Sequence, residues 1–189
     1  IAGEKERGTI ATLLVTPIKR SELAIGKVLS LTVISLFSAA SSFLGILLSL
    51  PKLMGSDVGA GPNVNIYAFS DYAMIFIVLL ATVLLVVGLV SVISAYAKNI
   101  KEASMLILPF YFLSVIIGIT SMFSGEAAKD AIVYIIPIYS TINVLIGLLT
   151  FSATSVQLLL MIISNLIYVS VLIFLMTKLF ESERVMFQK

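Results

Sequence analysis

Four stretches of this chain, 28–50, 73–96, 103–123 and 156–177, each run past 20 residues without one Asp, Glu, Lys or Arg. At 1.5 Å rise per residue, each is long enough to cross the roughly 30 Å hydrocarbon layer of a bilayer. Backbone polar groups in lipid must pair within the chain, so each stretch is read as a helix. With charged residues at 12% of the chain, about half the usual share, too little polar surface is left for a water-soluble globule. The expected fold class is an all-α membrane protein.

A fifth apolar stretch, 131–151, behaves differently. Pro137 interrupts it, and Tyr139, Ser140, Thr141 and Asn143 follow. The part after the proline would make about 21 Å of helix, too short to cross. It reads as a re-entrant or interfacial helical hairpin before the last span. Loop charge supports that topology. If 131–151 does not cross, ten of the twelve basic residues fall on one side, in 1–27, in 98–102 and in the tail. Lys52 and Lys129 alone stay opposite. The positive-inside rule makes the basic side cytoplasmic. Expected boundaries are a cytoplasmic segment 1–27, a membrane domain 28–180 and a cytoplasmic tail 181–189. Residues 51–72, rich in Gly, Pro, Asn and Ser, read as an external loop.

The chemistry the sequence omits narrows function further. It contains neither Cys nor His, which removes thiol catalysis, thiolate metal sites and the commonest general base. No ionisable group lies inside a span, so no proton relay or fixed carboxylate ion site is visible. Gly26-Lys27 falls short of a phosphate loop, because Ser21 holds the first glycine position and Val28 follows the lysine. Neither an ATP site nor another cofactor is expected on this chain.

The first 27 residues carry the most information. Glu4, Lys5, Glu6 and Arg7 form an alternating charged cluster, and Gly8 follows as a helix breaker. Ile10, Leu13, Leu14 and Pro17 then recur at i, i+3, i+4 and i+7, one apolar stripe on a very short helix. Thr16-Pro17 ends that helix and suits the cap of the next. A helix of about two turns needs support. Either the headgroup region supplies it, or a cytoplasmic partner's groove does.

The run 4–9, with Leu13-Leu14, Thr16-Pro17 and Gly26-Lys27, resembles the cytoplasmic signature of ABC-2 type exporter permeases, and bacterial sodium-extruding permeases in particular. The resemblance covers essentially the whole chain and implies the C-terminal half of such a permease. It would lack a first helix, an extracytoplasmic domain and most of a second helix. The resemblance further implies an ABC ATPase subunit carrying ATP and Mg, a second permease copy or paralogue, and a bacterial or archaeal plasma membrane. At matching positions Glu4, Glu6 and Arg7 would meet the ATPase, with Thr9 in the same signature. Gly8 would turn the chain, Leu13 and Leu14 would be buried knobs, and Pro17 would redirect it to the membrane. The function implied is ATP-driven efflux, of Na⁺ first. A non-transporting membrane scaffold that recruits a partner through the same loop is the alternative.

Inside the spans, Ser35, Ser38, Ser42, Gly45 and Ser49 share one helix face. Ala81, Gly88, Ser91 and Ala95 make a second seam, and Ser114, Gly118 and Ser121 a third. Small seams let helices approach closely, which is the reading preferred over a pathway lined by hydroxyls. Asn165 lies inside the last span and must find a partner. With Asn143 it reads as interhelical glue before substrate contact.

Overall fold

The computed structural model describes residues 1–9, 19–57, 67–124 and 130–182. Six α-helices make up the described chain: α1 (Ala2–Glu6), α2 (Arg20–Asp57), α3 (Phe69–Tyr96), α4 (Ile100–Ser124), α5 (Tyr139–Leu149) and α6 (Ser155–Glu181). A 3₁₀ segment, Ala131–Ile135, precedes α5. Among the described residues, α2, α3, α4 and α6 are long and apolar enough to cross a membrane, in agreement with the four expected spans.

Helix α3 is the spine. It packs most extensively on α6, then on α2. Its buried residues include Ala81, Gly88, Ser91 and Ala95, so the second small-residue seam is an interface. A Cβ added at Gly88 would sit 3.3 Å from Leu172 Cδ1 and 3.4 Å from Leu172 Cβ. The missing side chain therefore sets how closely α3 and α6 approach. The first seam meets a different environment. Ser38, Ser42 and Ser49 are exposed, and a Cβ at Gly45 would meet nothing within 4 Å. In lipid, small residues do not by themselves dictate which face finds a partner.

Helix α4 has little packing along its middle. Met105 is 70% exposed and Tyr111 61%, whereas Ala103 and Ser121 near its ends are buried. Pro109 lies inside it, removing a backbone donor from the helix ladder.

Two clusters hold opposite ends of the bundle. Ile75, Val78 and Ala81 in the first half of α3 cluster with Tyr134, with Val144 and Leu148 of α5 and with Met161 of α6. At the other end Ala95, Met176 and Phe180 pack with Ile1, Leu23 and Val28. The first residues and the end of α6 therefore lie at the same end of the bundle.

Two boundaries depart from the sequence reading. Helix α2 continues through Pro51 to Asp57, so the expected loop 51–72 begins later. A proline costs a long helix one hydrogen bond and a bend, and need not end it. At its start, Glu22 and Leu23 donate to the Lys19 carbonyl, so the described helix begins after Lys19. The expected break at Pro137 is a tight γ-turn: Ile138 has φ 69° and ψ −53°, and the Tyr139 N–H donates to the Pro137 carbonyl at 2.8 Å. A β-branched residue at positive φ is strained, and half-buried Ile138 is tied into α5 by the Ile142 N–H, which donates to its carbonyl at 3.1 Å.

Candidate coupling site at the N-terminal end

Helix α1 is held against the bundle by specific contacts. Ala2 is buried against Ala97 and Ala103, and a Cβ on Gly3 would lie 3.3 Å from Ile100 Cδ1. The Ala2 N–H donates to Ser94 Oγ at 3.0 Å. The helix thus rests on the turn that joins α3 to α4.

Its charged residues reach three helices. Lys27 of α2 donates to Glu4 Oε1 in an ion pair. Lys5 Nζ donates to the Ala95 carbonyl near the C-terminus of α3. The Ile100 N–H, first in α4, donates to Glu6 Oε2 at 3.2 Å. The α4 start is capped from within as well. The Glu102 N–H donates to Asn99 Oδ1 at 2.8 Å, and the Lys98 N–H donates to Glu102 Oε2 at 2.8 Å.

These contacts follow helix electrostatics. The last carbonyls of α3 lack helical partners and carry partial negative charge, which suits Lys5. The first N–H groups of α4 are orphan donors of positive character, which suits Glu6. Half-burial lowers the Lys5 pKa, and Glu102 opposes that shift by raising it.

The chain then turns outward. Arg7, Gly8 and Thr9 are exposed, Gly8 takes φ 73°, and Thr9 Oγ1 donates to the Glu4 carbonyl at 3.2 Å. A glycine is required there because other residues adopt that backbone at a cost. Leu13, Leu14 and Pro17 lie outside the described residues.

The remaining candidates lie elsewhere. Ser35, Ser38 and Ser42 of α2 line an open groove of about 290 Å³ with Thr82 and Val86 of α3. Asn143 and Asn165 lie in the hairpin junction. Asn143 Nδ2 donates to the Tyr139 carbonyl at 2.9 Å. Asn165 Nδ2 lies 3.5 Å from Thr141 Oγ1 and 3.2 Å from Met161 Sδ, and Ser164 Oγ donates to the Ile135 carbonyl at 2.7 Å. Among the described residues, no group of three or more His, Cys, Asp or Glu is placed to hold a metal ion.

Sequence reasoning did not assign Lys5, Lys27, Ala95 and Asn99 to the candidate site. The Ala95 carbonyl leaves no trace in sequence, since any residue supplies one. Asn99 followed three residues later by Glu102 is a cap pattern, and it was available to find the α4 start.

Comparison with protein families matches residues 1–180 to the ABC-2 family transporter proteins. No curated protein matches, and no solved structure does. With that match spanning the bundle and the docked segment alike, this chain belongs to the ABC-2 transporter family and is a multi-pass membrane permease component of an ABC transporter.

Proposed function

We propose that this permease drives efflux with energy from a separate ATPase that docks on residues 7–17 and their surroundings. The observation that carries the reading is the seating of α1 across the ends of α2, α3 and α4 at the basic end of the bundle. A partner that grips the exposed turn at Arg7, Gly8 and Thr9 can move spanning helices through contacts already made. Leu13 and Leu14 are the apolar knobs of that docking surface and Pro17 its exit. ATP and Mg are held by the partner. Two permease copies, identical or related, enclose the path in a bacterial or archaeal plasma membrane. Alternation of access follows from rigid tilting of helices.

Sodium is the substrate assigned first. The spans offer hydroxyls, amides and carbonyls, the ligand types a monovalent hard cation accepts, and Ser35, Ser38 and Ser42 beside Thr82 give a neutral-oxygen groove.

The test is co-purification of the full-length permease with its ATPase, followed by ATP hydrolysis and ²²Na⁺ uptake into inside-out vesicles. Leu13→Asp with Leu14→Asp is expected to abolish association and uptake. Association and hydrolysis indifferent to that change would favour a recruiting scaffold. Uptake of another substrate but not of sodium would remove the sodium assignment alone.

A further inference from the structure

Three successive charged residues of α1 each hold a different spanning helix: Glu4 holds α2 through Lys27, Lys5 holds α3 through the Ala95 carbonyl, and Glu6 holds α4 through the Ile100 N–H. Successive residues on a helix project about 100° apart, so three of them fan out over more than half the circumference. A short helix lying across several helix ends can therefore address each one separately. We propose that Glu4, Lys5 and Glu6 are positioning residues that make α1 a yoke, and that partner recognition by this charged run falls to Arg7. This rests on the reading of the segment as a coupling site, and it moves Glu4 and Glu6 from the partner interface to the transmission inside the permease.

The signs of the charges support the assignment. Lys5 meets the negative end of α3 and Glu6 the positive end of α4, across a turn of only three residues, 97–99. The order Lys-Glu in α1 thus matches the order of helix end and helix start that it bridges. Arg7 is exposed, as Glu6 is, and it comes just before the left-handed Gly8, where the chain leaves α1. Helix α4 is also the helix with the least to resist such a pull. Its middle is exposed and its packing is concentrated at its ends. A displacement of α1 thus tilts α4 relative to the α3–α6 spine with few side-chain contacts to break.

The two kinds of link predict different responses to charge exchange. Glu4 and Lys27 are both side chains, so exchanging them rebuilds the pair. The partners of Lys5 and Glu6 are backbone dipoles, whose sign no mutation reverses. Exchanging Lys5 and Glu6 therefore places an acid on the carbonyl end of α3 and a base on the N–H end of α4. Both exchanges leave net charge unchanged, so a general charge effect treats them alike.

The experiment uses the full-length permease with its ATPase in nanodiscs. This chain contains no Cys, so Met105→Cys on α4 and Leu166→Cys on α6, both exposed, carry spin labels for distance measurement. The readout is the fraction of label pairs that shift on addition of ATP and vanadate, alongside ATPase co-elution. Glu4→Lys and Lys27→Glu are each expected to cut the shifting fraction at least fivefold while co-elution stays within twofold of wild type. Combining them should restore more than half of it. Lys5→Glu with Glu6→Lys should remain as defective as either single change. Arg7→Glu should weaken co-elution instead. If a charge reversal aggregates, Glu4→Gln and Glu6→Gln give the same comparison in milder form, each with a smaller loss of shift and unchanged co-elution. Full activity in the single variants, or equal behaviour of the two exchanges, overturns the yoke while the coupling reading stands. A wild-type complex whose labels never respond to ATP overturns the coupling reading, and the yoke with it.

Discussion

Replacing Gly88 tests whether the α3–α6 contact is the spine on which the other helices move. Its hypothetical Cβ lies 3.3 Å from Leu172 Cδ1, a methyl that can rotate aside, and 3.4 Å from Leu172 Cβ, an atom fixed to the backbone of α6. Gly88→Ala gains about 0.8–1.0 kcal/mol in helix propensity and loses a comparable amount as Leu172 adjusts, so its net effect is expected near zero. Gly88→Val adds two further carbons against an atom that cannot yield. Overpacking of this kind costs about 1–3 kcal/mol, and the helices must separate to relieve it. Gly45→Val on the exposed face of α2, where nothing lies within 4 Å, is expected to change stability by under about 0.5 kcal/mol. Reversible unfolding in bicelles, followed by helical signal or by steric trapping, measures all three. Leu172→Ala in the Gly88→Val background should recover part of the loss, since contacting residues couple in a double-mutant cycle. Equal stability of the Ala and Val variants, or a Gly45→Val loss as large as that of Gly88→Val, would refute the assignment of α3–α6 as the close contact.

Tyr67 is buried, stacks on Phe151 at 4.9 Å and donates to the Leu149 carbonyl at 2.8 Å. Tyr67→Phe keeps the stack and removes the hydrogen bond, so a loss of about 1 kcal/mol is expected in thermal unfolding; an unchanged midpoint would dismiss the bond. Burial, with smaller contributions from Tyr72 and Asp71, raises the Tyr67 pKa above its usual 10.0. Its contribution is therefore complete below pH 10 and lost as pH climbs through the raised value, and an alkaline stability scan of wild type against Tyr67→Phe should converge there. Lys5 has the opposite sign: burial lowers its pKa below 10.5, so docked α1 holds fewer protons than free α1 and docking tightens as pH rises toward 10.5. A spin label on Thr9→Cys should lose mobility as pH rises toward 10.5, and a gain in mobility would contradict the half-buried placement of Lys5.

Much of the fold was legible because a membrane imposes simple arithmetic. Charge-free stretches past 20 residues become helices whatever surrounds them, and all four are present. Pro137 marked the break before α5 because proline cannot donate within a helix and restrains its predecessor. Pro51 gave the wrong signal for the same chemical reason, since α2 absorbs it. At the candidate site, the charged run and Gly8 were recognisable, and the resemblance singled out Glu4, Glu6 and Arg7. The partners of Lys5 and Glu6 were not, because Ala95 and Ile100 contribute backbone groups common to every residue, and they lie about 90 positions away in sequence.

The sequence alone determined the number of long helices and the basic end of the bundle, because both depend on transfer between water and hydrocarbon, a property of each residue. Tertiary structure decided which small-residue seam is buried and which is open. Lipid tails and neighbouring helices are equally apolar, so burial against one or the other carries no hydrophobic signature. It also decided that Glu4 pairs with Lys27 of α2 and Glu6 with the first N–H of α4, because a charge finds its partner by the geometry of helix ends and not by its place in the chain.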